Sequence, residues 1–338
     1  MTIKDIARLS GVSVSTVSRV MNNHPDVSED NRKKVQAVIE SSRFVPSSSA
    51  RDLVRTTSDA IGVIVRGVGN PFYTPVITAI EREIQNTGYT MVISQINETD
   101  DEITCASVME RDKRLLGVIF VGGRFDYSRE DLSRLTIPFV CCTFTNRYGS
   151  LRENEYSSVS IEDEKEACRA VTILTELGHR RIAALITGTD DHSISQLRYQ
   201  GYKRALQARD LSVEPELVLC AEAFTLEEAY RKTKQAIREG IRFTALFAIS
   251  DNMAIGAMRA LHEEGIRVPE DCSVIGIDGL EISDYVVPRL TTLSQPKEKI
   301  GKITVDILTD MISGSAGHRN VVLDTELRTG ETILACSM

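Results

Sequence analysis

The sequence predicts an α/β protein with a small all-α head and a larger body of doubly wound parallel sheet. Three observations lead to this prediction. Apolar residues near the start of the chain recur at the spacing of short helices. From about residue 60 onward, β-branched runs alternate with amphipathic stretches, as in parallel strands joined by crossover helices. At 338 residues, 42% of them hydrophobic, the chain can form two or three domains.

The head begins with two short helices joined by a tight turn. Thr2 and Asp5 have the spacing of a capping box, and the first helix is predicted to end at Gly11. Its apolar face consists of Ile3, Ile6 and Ala7. Ser13 caps a second helix that ends near Asn22. The short glycine-containing turn between them predicts a helix-turn-helix, which directs the second helix outward.

A third helix completes the head. Ser28 is placed to cap it, and the acidic Glu29 and Asp30 in its first turn favour the helix dipole. Its apolar residues again follow helical spacing: Val35, Val38 and Ile39. Three short helices therefore share one small core.

The exposed face of the second helix suits nucleic acid. Short hydroxyl side chains and one guanidinium cluster at its N-terminal half: Ser13, Ser15, Thr16, Ser18 and Arg19. A helix N-terminus with hydroxyls favours phosphate, and Arg19 can bind a guanine edge through two hydrogen bonds. The alternative interpretation is that the hydroxyls are only helix caps on a solvated surface.

Charge is divided unevenly along the chain. Residues 1–58 contain nine basic and six acidic side chains, a net charge of +3, so the other 280 residues carry −11 of the total of −8. Such asymmetry is consistent with a nucleic-acid-binding head on an acidic body.

The body contains a series of short strands. They are predicted at Ile61–Val65, Thr90–Ile96, Gly117–Val121, Phe139–Thr143, Ile182–Ile186, Leu217–Cys220, Ala245–Ile249 and Ser273–Ile277. With helices between them, 280 residues suffice for two lobes. Ligands of such folds bind beyond the carboxyl ends of the strands, so a binding cleft between the lobes is expected.

The segments from Thr2 to Ala7 and from Gly11 to Asn22 closely resemble the lactose-repressor (LacI/GalR) family of bacterial transcription regulators. The resemblance implies a repressor that binds double-stranded, pseudo-palindromic operator DNA as a homodimer. It places Val14 and Ser15 at operator-selecting positions and Arg19 at a base-contacting position. The whole implied DNA-binding set is Thr2, Ser13, Val14, Ser15, Thr16, Ser18, Arg19, Asn22, Asn23, Arg51 and Leu53.

The resemblance also implies the domain organisation. The expected parts are a head at 1–46, a hinge helix or linker at 47–58, and an effector-binding and dimerisation core at 59–338, related in fold to periplasmic sugar-binding proteins. The first lobe is expected at about 59–160 plus 292–324, and the second at about 161–291 plus 325–338. In the hinge, Leu53 matches a residue that wedges into the minor groove, beside Arg51.

Motifs throughout the body continue the resemblance, among them Asn70-Pro71-Phe72 and Ile275-Gly276-Ile277-Asp278. They imply a small-molecule effector, sugar-like or another small metabolite, bound between the lobes. The implied binding residues are Phe72, Tyr73, Phe144, Arg198, Phe224, Ser250, Asp251 and Asp278. Departures from the family, such as Thr143 and Gly279 at positions that are often acidic, predict fewer long polar groups in this cleft than family members often have.

Two other classes of protein are weighed against a regulator. A ligand-binding module of the periplasmic type is disfavoured by the helix-turn-helix and by the lack of an apolar leader segment, so we expect a cytoplasmic location. An α/β enzyme is disfavoured because no nucleophile–base pair is apparent. Histidine and cysteine spacing predicts no metal site, and no phosphate-binding glycine motif predicts a cofactor. No membrane partner and no catalytic residue are predicted.

Overall fold

A computed structural model of the chain describes residues 1–21, 24–42, 59–67, 69–97 and 100–336. The chain divides into two compact units, residues 1–58 and 59–338. The predictions for Asn22, Asn23, Arg51 and Leu53 lie outside the described residues, as does the rest of the expected hinge. Among the residues described, no helix is long and apolar enough to cross a membrane.

The first unit contains the three helices expected from the sequence. They are α1 (Ile3–Ser10), α2 (Val14–Met21) and α3 (Glu29–Ser42). The capping box is confirmed, because Thr2 and Asp5 exchange backbone and side-chain hydrogen bonds. Gly11 ends α1 with a φ of 69°, a conformation that suits glycine. Side chains from all three helices form the core: Ile6, Ala7, Val17, Val20 and Val35.

The second unit contains two six-stranded sheets, one in each lobe. The strands are β1 (Ala60–Arg66), β2 (Thr90–Ile96), β3 (Gly117–Val121), β4 (Phe139–Cys142), β5 (Ser157–Ser160), β6 (Ile182–Ile186), β7 (Val218–Cys220), β8 (Ala245–Ala248), β9 (Ser273–Asp278), β10 (Thr291–Ser294), β11 (Asn320–Val322) and β12 (Glu326–Arg328). The first sheet has the order β11-β5-β4-β3-β1-β2 and the second β12-β10-β9-β8-β6-β7. All pairings are parallel except that of β10 with β12.

Helices cover both sheets, as a parallel sheet requires. They are α4 (Tyr73–Thr87), α5 (Glu102–Lys113), α6 (Arg129–Leu132), α7 (Asp163–Glu176), α8 (Ile194–Gln207), α9 (Leu226–Arg238), α10 (Asp251–Glu263) and α11 (Lys297–Ile312), with 3-10 turns at Pro215–Leu217 and Glu281–Asp284. Strand β1 shows that the two faces of the sheet pack against different apolar clusters. Ile61, Val63 and Val65 face one apolar cluster, while Ile64 faces another on the opposite side.

All eight strands predicted in the body are present, but four more strands were missed: β5, β10, β11 and β12. All four are only three or four residues long, and β5 and β10 consist mainly of serine and threonine, so none has a long apolar run. Strand β5 is nevertheless buried. Ser158 Oγ donates to Asn320 Oδ1 at 2.7 Å, which lets a polar strand lie inside the lobe.

The chain passes between the two sheets three times, after β5, after β10 and after β11. The expected lobe boundary at 292 falls inside β10, which belongs to the second sheet. The crossing comes later, at Gln295 and Pro296, because Thr292 and Leu293 pair with β9. Helix α11 then packs against α4 and the first sheet.

The contact between α11 and α4 depends on Gly301. A Cβ at this position would lie 2.6 Å from Ala79 Cβ and 2.9 Å from the Val76 carbonyl oxygen. Because a backbone atom cannot move aside as a flexible side chain can, the two helices approach this closely only with glycine at the crossing.

We therefore expect Gly301→Val to lower the free energy of unfolding by roughly 1–3 kcal/mol, since the added atoms overpack the crossing. Denaturant unfolding of the full chain measures this loss. Lys299→Val, on the exposed face of the same helix, is the matched control and should change stability by only a few tenths of that amount. Equal effects of the two substitutions would contradict the packing role of Gly301.

Candidate functional site

A cavity of about 330 Å³ lies between the two lobes of the second unit. Its walls are built from loops that follow β1, β3 and β4 of the first sheet and β6 to β10 of the second. The cavity therefore lies beyond the carboxyl ends of the strands of both sheets, where α/β folds bind ligands. Its lining is Arg66, Gly67, Asn70, Phe72, Tyr73, Gly122, Gly123, Phe125, Thr143, Phe144, Thr187, Asp191, Ser193, Ile194, Arg198, Glu222, Ala223, Phe224, Ser250, Asp278 and Gln295.

Aromatic rings form the apolar wall of the first lobe. Phe72 packs against Tyr73 with ring centroids 5.7 Å apart, and Phe125 packs against Phe144 at 5.6 Å. Phe72 and Phe144 are buried and also belong to the apolar clusters of this lobe. Each of these two rings therefore packs in the core of the lobe and also lines the cavity. Phe224 contributes a partly buried ring from the second lobe.

The polar wall of the second lobe is organised around Arg198. This side chain is only 2% exposed. Its Nε donates to Asp163 Oδ1 at 3.0 Å, Nη1 donates to the Ile249 carbonyl oxygen, and Nη1 lies 3.6 Å from Asp278 Oδ1. Burial lowers the pKa of Arg198, but the two carboxylates outweigh it and the pKa is raised, so the guanidinium stays charged.

Asp278 ends β9 and faces Arg198. Gln295 Nε2 donates to its Oδ1 at 2.9 Å, while its Oδ2 has no hydrogen-bond partner among the described residues. Burial raises the pKa of Asp278 to about 7, although Arg198 opposes the change. Its backbone has a φ of 142°, and Thr143 across the cavity has a φ of 75°. Strained residues of this kind concentrate at binding sites.

Asp251, which the sequence placed among the effector-binding residues, does not line the cavity. Its Oδ2 accepts hydrogen bonds from the Leu280 amide at 2.7 Å and from Ser283 Oγ at 2.9 Å, and its Oδ1 accepts one from Thr292. Burial raises its pKa. These hydrogen bonds direct the carboxylate toward the loop after β9, so Asp251 braces that loop.

The other seven expected residues, Phe72, Tyr73, Phe144, Arg198, Phe224, Ser250 and Asp278, all line the cavity. Sequence reasoning missed several long polar side chains beside them: Arg66, Asn70, Asp191, Glu222 and Gln295. The cavity wall therefore has long polar side chains beyond those expected from the sequence. Arg66, Asn70, Asp191 and Glu222 come at or soon after the ends of strands that the sequence did predict, and that position was the available signal. Gln295 follows β10, which was not predicted, so no such signal was available for it.

Arg66 is held in the cavity wall by a buried acid. Glu102, only 1% exposed, accepts hydrogen bonds from Arg66 Nη2, from Tyr127 Oη at 2.5 Å and from the Arg124 amide at 3.0 Å. Arg66 Nη2 also donates to the Asp100 carbonyl oxygen at 2.6 Å. The guanidinium of Arg66 is therefore fixed in orientation at the end of β1.

The head presents most of its expected DNA-facing residues along α2, from its cap at Ser13 to Arg19 in its last turn. Ser13, Val14, Ser15 and Arg19 are exposed, and Thr16 and Ser18 are half-buried. Ser13 Oγ caps the helix by accepting the Thr16 amide at 3.1 Å and lies 2.7 Å from Ser15 Oγ. Thr2 is exposed at the start of α1. The N-terminus of α2 thus combines hydroxyls and helix amides, and the guanidinium of Arg19 lies in the last turn. Groups of these kinds bind phosphate and base edges.

Two family models match the chain. The model of the bacterial regulatory proteins of the lacI family matches residues 2–47, and that of the periplasmic binding protein-like domain matches residues 171–333. The HTH-type transcriptional regulator MalR of Clostridium butyricum is 39% identical over 330 residues, which cover 97% of each chain.

Two solved structures are similar over nearly the whole chain. The lac repressor dimer bound to operator and the anti-inducer ONPF has a TM-score of 0.80 and 27% identity, with 99% of both chains covered. The complex of the transcriptional regulator CelR with cellobiose has a TM-score of 0.72 and 27% identity, with 98% of this chain and 99% of that one covered. They confirm the predicted fold of a helical DNA-binding region and a two-lobed α/β core.

The raised pKa of Asp278 predicts a pH-dependent cost in stability. Its folded pKa of about 7 lies above the ordinary value, so the fold favours the protonated form and loses stability as pH rises toward 7. Asp278→Asn removes this loss. We expect the stability of the variant relative to the parent to rise by roughly 2–4 kcal/mol between pH 4 and pH 8.

Thermal or denaturant unfolding at several pH values measures the difference. Asp112→Asn, an exposed acid on α5, is the matched control and should show no such trend. A stability difference for Asp278→Asn that is the same at both ends of the pH range would refute the raised pKa.

Proposed function

The chain belongs to the lacI family of bacterial regulatory proteins and is a DNA-binding transcriptional regulator, and from this premise we propose that it represses genes under control of a small, neutral, sugar-like molecule bound in the cavity. The observation that carries the choice of ligand is the buried Asp278 carboxylate, which has an unshared oxygen opposite a wall of aromatic rings.

The cavity combines the two kinds of surface that a sugar ring needs. Carboxylate, guanidinium and amide groups from Asp278, Arg198 and Gln295 can hydrogen-bond ring hydroxyls. Phe72 and Phe144 offer flat apolar faces to the C–H groups of the ring. A mostly apolar pocket with a few fixed polar groups is the usual form of a small-molecule site.

Paired charges in the wall favour a neutral ligand over a phosphorylated one. Arg66 binds Glu102, and Arg198 binds Asp163. Because each of these guanidinium groups already faces a carboxylate, a phosphate would have to compete with an existing ion pair. The cellobiose complex of the similar regulator CelR supports a neutral sugar as the ligand class.

We assign operator contact to the head. The exposed Val14, Ser15 and Arg19 are assigned to base reading, and Ser13, Thr16, Ser18 and Thr2 to phosphates, together with Asn22 and Asn23. Arg51 and Leu53 are assigned to the hinge between head and core, with Leu53 as the minor-groove wedge. The net charge of −11 on residues 59–338, within a total of −8, discourages the core from lying on DNA.

The second lobe carries a surface suited to a homodimer. On the loop between β9 and β10, Tyr285 is 73% exposed and Val287 is 95% exposed, with Ile282 beside them. Contiguous exposed apolar residues of this kind mark protein interfaces. A two-fold dimer places two heads symmetrically, so we expect a pseudo-palindromic operator.

In this proposal, sugar binding changes the angle between the lobes and thereby the operator affinity. Such coupling is typically about 1–3 kcal/mol per site and acts equally in both directions. The protein is assigned to the cytoplasm, where operator DNA is found. No catalytic role is assigned to the cavity, because the proteins that are similar to this chain are transcription regulators.

Arg19→Ala should weaken binding to the specific operator by about tenfold or more, since a bidentate arginine contributes about 1–3 kcal/mol of base discrimination. Affinity sequencing of genomic fragments identifies the operator, and fluorescence anisotropy at fixed salt gives the affinity. Arg209→Ala, on the exposed surface of the core, is the control and should bind normally. Unchanged affinity of the Arg19 variant would remove this residue from the base-reading set.

Asp278→Ala should abolish the response to sugar while operator binding persists. Calorimetry with neutral pentoses, hexoses and disaccharides, ribose and cellobiose among them, identifies the ligand of the parent protein. The variant should bind that ligand roughly tenfold to a hundredfold more weakly, because a charged hydrogen-bond partner is lost. Asp112→Ala is the control. Equal sugar affinity of parent and Asp278 variant would reject the cavity assignment.

A further inference from the structure

The turn after β9 belongs to the sheet of the second lobe but reaches into the first lobe. Asp278 ends the strand and faces the cavity, whereas Leu280 points the other way. Leu280 is 4% exposed and lies in an apolar cluster of the first lobe that includes Phe72 and Ile300. Within three residues, this turn therefore joins the cavity carboxylate to the core of the opposite lobe.

Lys297 holds the same turn from the first lobe. It is the first residue of α11, the helix that packs on α4 and the first sheet. Its Nζ donates to the carbonyl oxygens of Asp278 at 2.6 Å, Gly279 at 2.7 Å and Gln295 at 3.4 Å. An ammonium group has three donors, so three convergent carbonyl oxygens account for its whole hydrogen-bonding capacity.

The backbone that Lys297 binds is held in unusual conformations. Asp278 has a φ of 142° and Gly279 a φ of 67°. A non-glycine residue in such a region persists only where surrounding contacts enforce it. Arg328 Nη1 also donates to the Gly279 carbonyl oxygen, at 3.0 Å. The Gln295 amide donates to the Asp278 carbonyl oxygen at 3.2 Å, and Lys297 Nζ is the charged side chain that binds this same oxygen, at 2.6 Å.

The charged groups around Lys297 come from three elements. Asp278 of β9 and Asp251 of α10 raise its pKa, and Arg328 of β12 lowers it. Burial is the larger effect, and the net result is a lowered pKa. The ring of Phe72 adds a further contact, with its centroid 6.0 Å from Nζ. The lysine therefore links the aromatic wall of one lobe to the acidic wall of the other.

We propose that Lys297 is a positioning residue of the cavity, which fixes the Asp278–Leu280 turn so that the Asp278 carboxylate faces the ligand while the turn stays anchored in the opposite lobe. This inference rests on the proposed function only in treating the cavity as the ligand site. In this arrangement Lys297 connects the Asp278 backbone to α11, so a displacement of Asp278 by a ligand would be transmitted to the first lobe.

The test uses the full-length protein without ligand, so its outcome is separate from that of the proposed sugar. Hydrogen exchange measured by mass spectrometry follows a peptide that contains residues 278–284. Lys297→Met removes all three donors at similar size and should speed exchange of this peptide by about tenfold or more, because the turn opens. Lys297→Arg keeps several donors and should restore slow exchange.

Lys299→Met, on the exposed side of the same helix, is the matched control and should leave exchange unchanged. Unaltered exchange in Lys297→Met would overturn the proposal. So would equally fast exchange across the whole of α11 and α4, because that result would mean a general loss of packing.

A pH profile distinguishes positioning from a simple effect of charge. Asp278→Asn is introduced into the parent, into Lys297→Met and into Lys297→Arg. In each background, the change that it causes in the free energy of unfolding is measured at pH 5 and at pH 8, and the difference between the two pH values is the pH-dependent gain. If Lys297 holds the carboxylate in its buried place, this pH-dependent gain should fall to less than half in Lys297→Met and return in Lys297→Arg. If Lys297 acted by charge alone, its removal would raise the pKa of Asp278 further, so an equal or larger gain would overturn the proposal.

Discussion

The buried guanidinium of Arg198 is the interaction on which the cavity depends. It comes from α8 and meets Asp163 at the start of α7, the Ile249 carbonyl at the end of β8 and Asp278 at the end of β9. Removing one partner from such a buried group is costly, because the charge left behind has no water to solvate it. The four chain segments are therefore fixed relative to one another, and the polar wall is formed before any ligand arrives.

The same site contains features that work against stability. Asp278 has a strained backbone, an unshared buried oxygen and a pKa of about 7, and Thr143 opposite it is also strained. Groups of this kind are tolerated at binding sites because a ligand supplies the missing partner. Asp251 contrasts with Asp278, since each of its oxygens accepts hydrogen bonds from the protein, and its role is to hold the loop from behind.

The two lobes are linked by more than the three chain crossings. Leu197 of α8 lies in an apolar cluster of the first lobe, and Leu280 lies in another. Both residues are close in sequence to a polar residue of the cavity, Arg198 in one case and Asp278 in the other. The polar wall of the cavity is thus tied through the chain to the packing of the opposite lobe, and packed cores of this kind have discrete arrangements instead of a continuous range.

The sequence by itself determined the helix-turn-helix and the eight apolar strands, because caps and periodicity are local signals, and its resemblance to a known family implied seven of the residues that line the cavity. It could not reveal β5, whose serines are buried through bonds to residues far along the chain, such as Asn320. Nor could it separate Asp278 from Asp251, since both are acids that follow apolar strands. Only the tertiary structure decides which of them meets the cavity, because that depends on which distant donors, such as Ser283 and Thr292, reach each carboxylate.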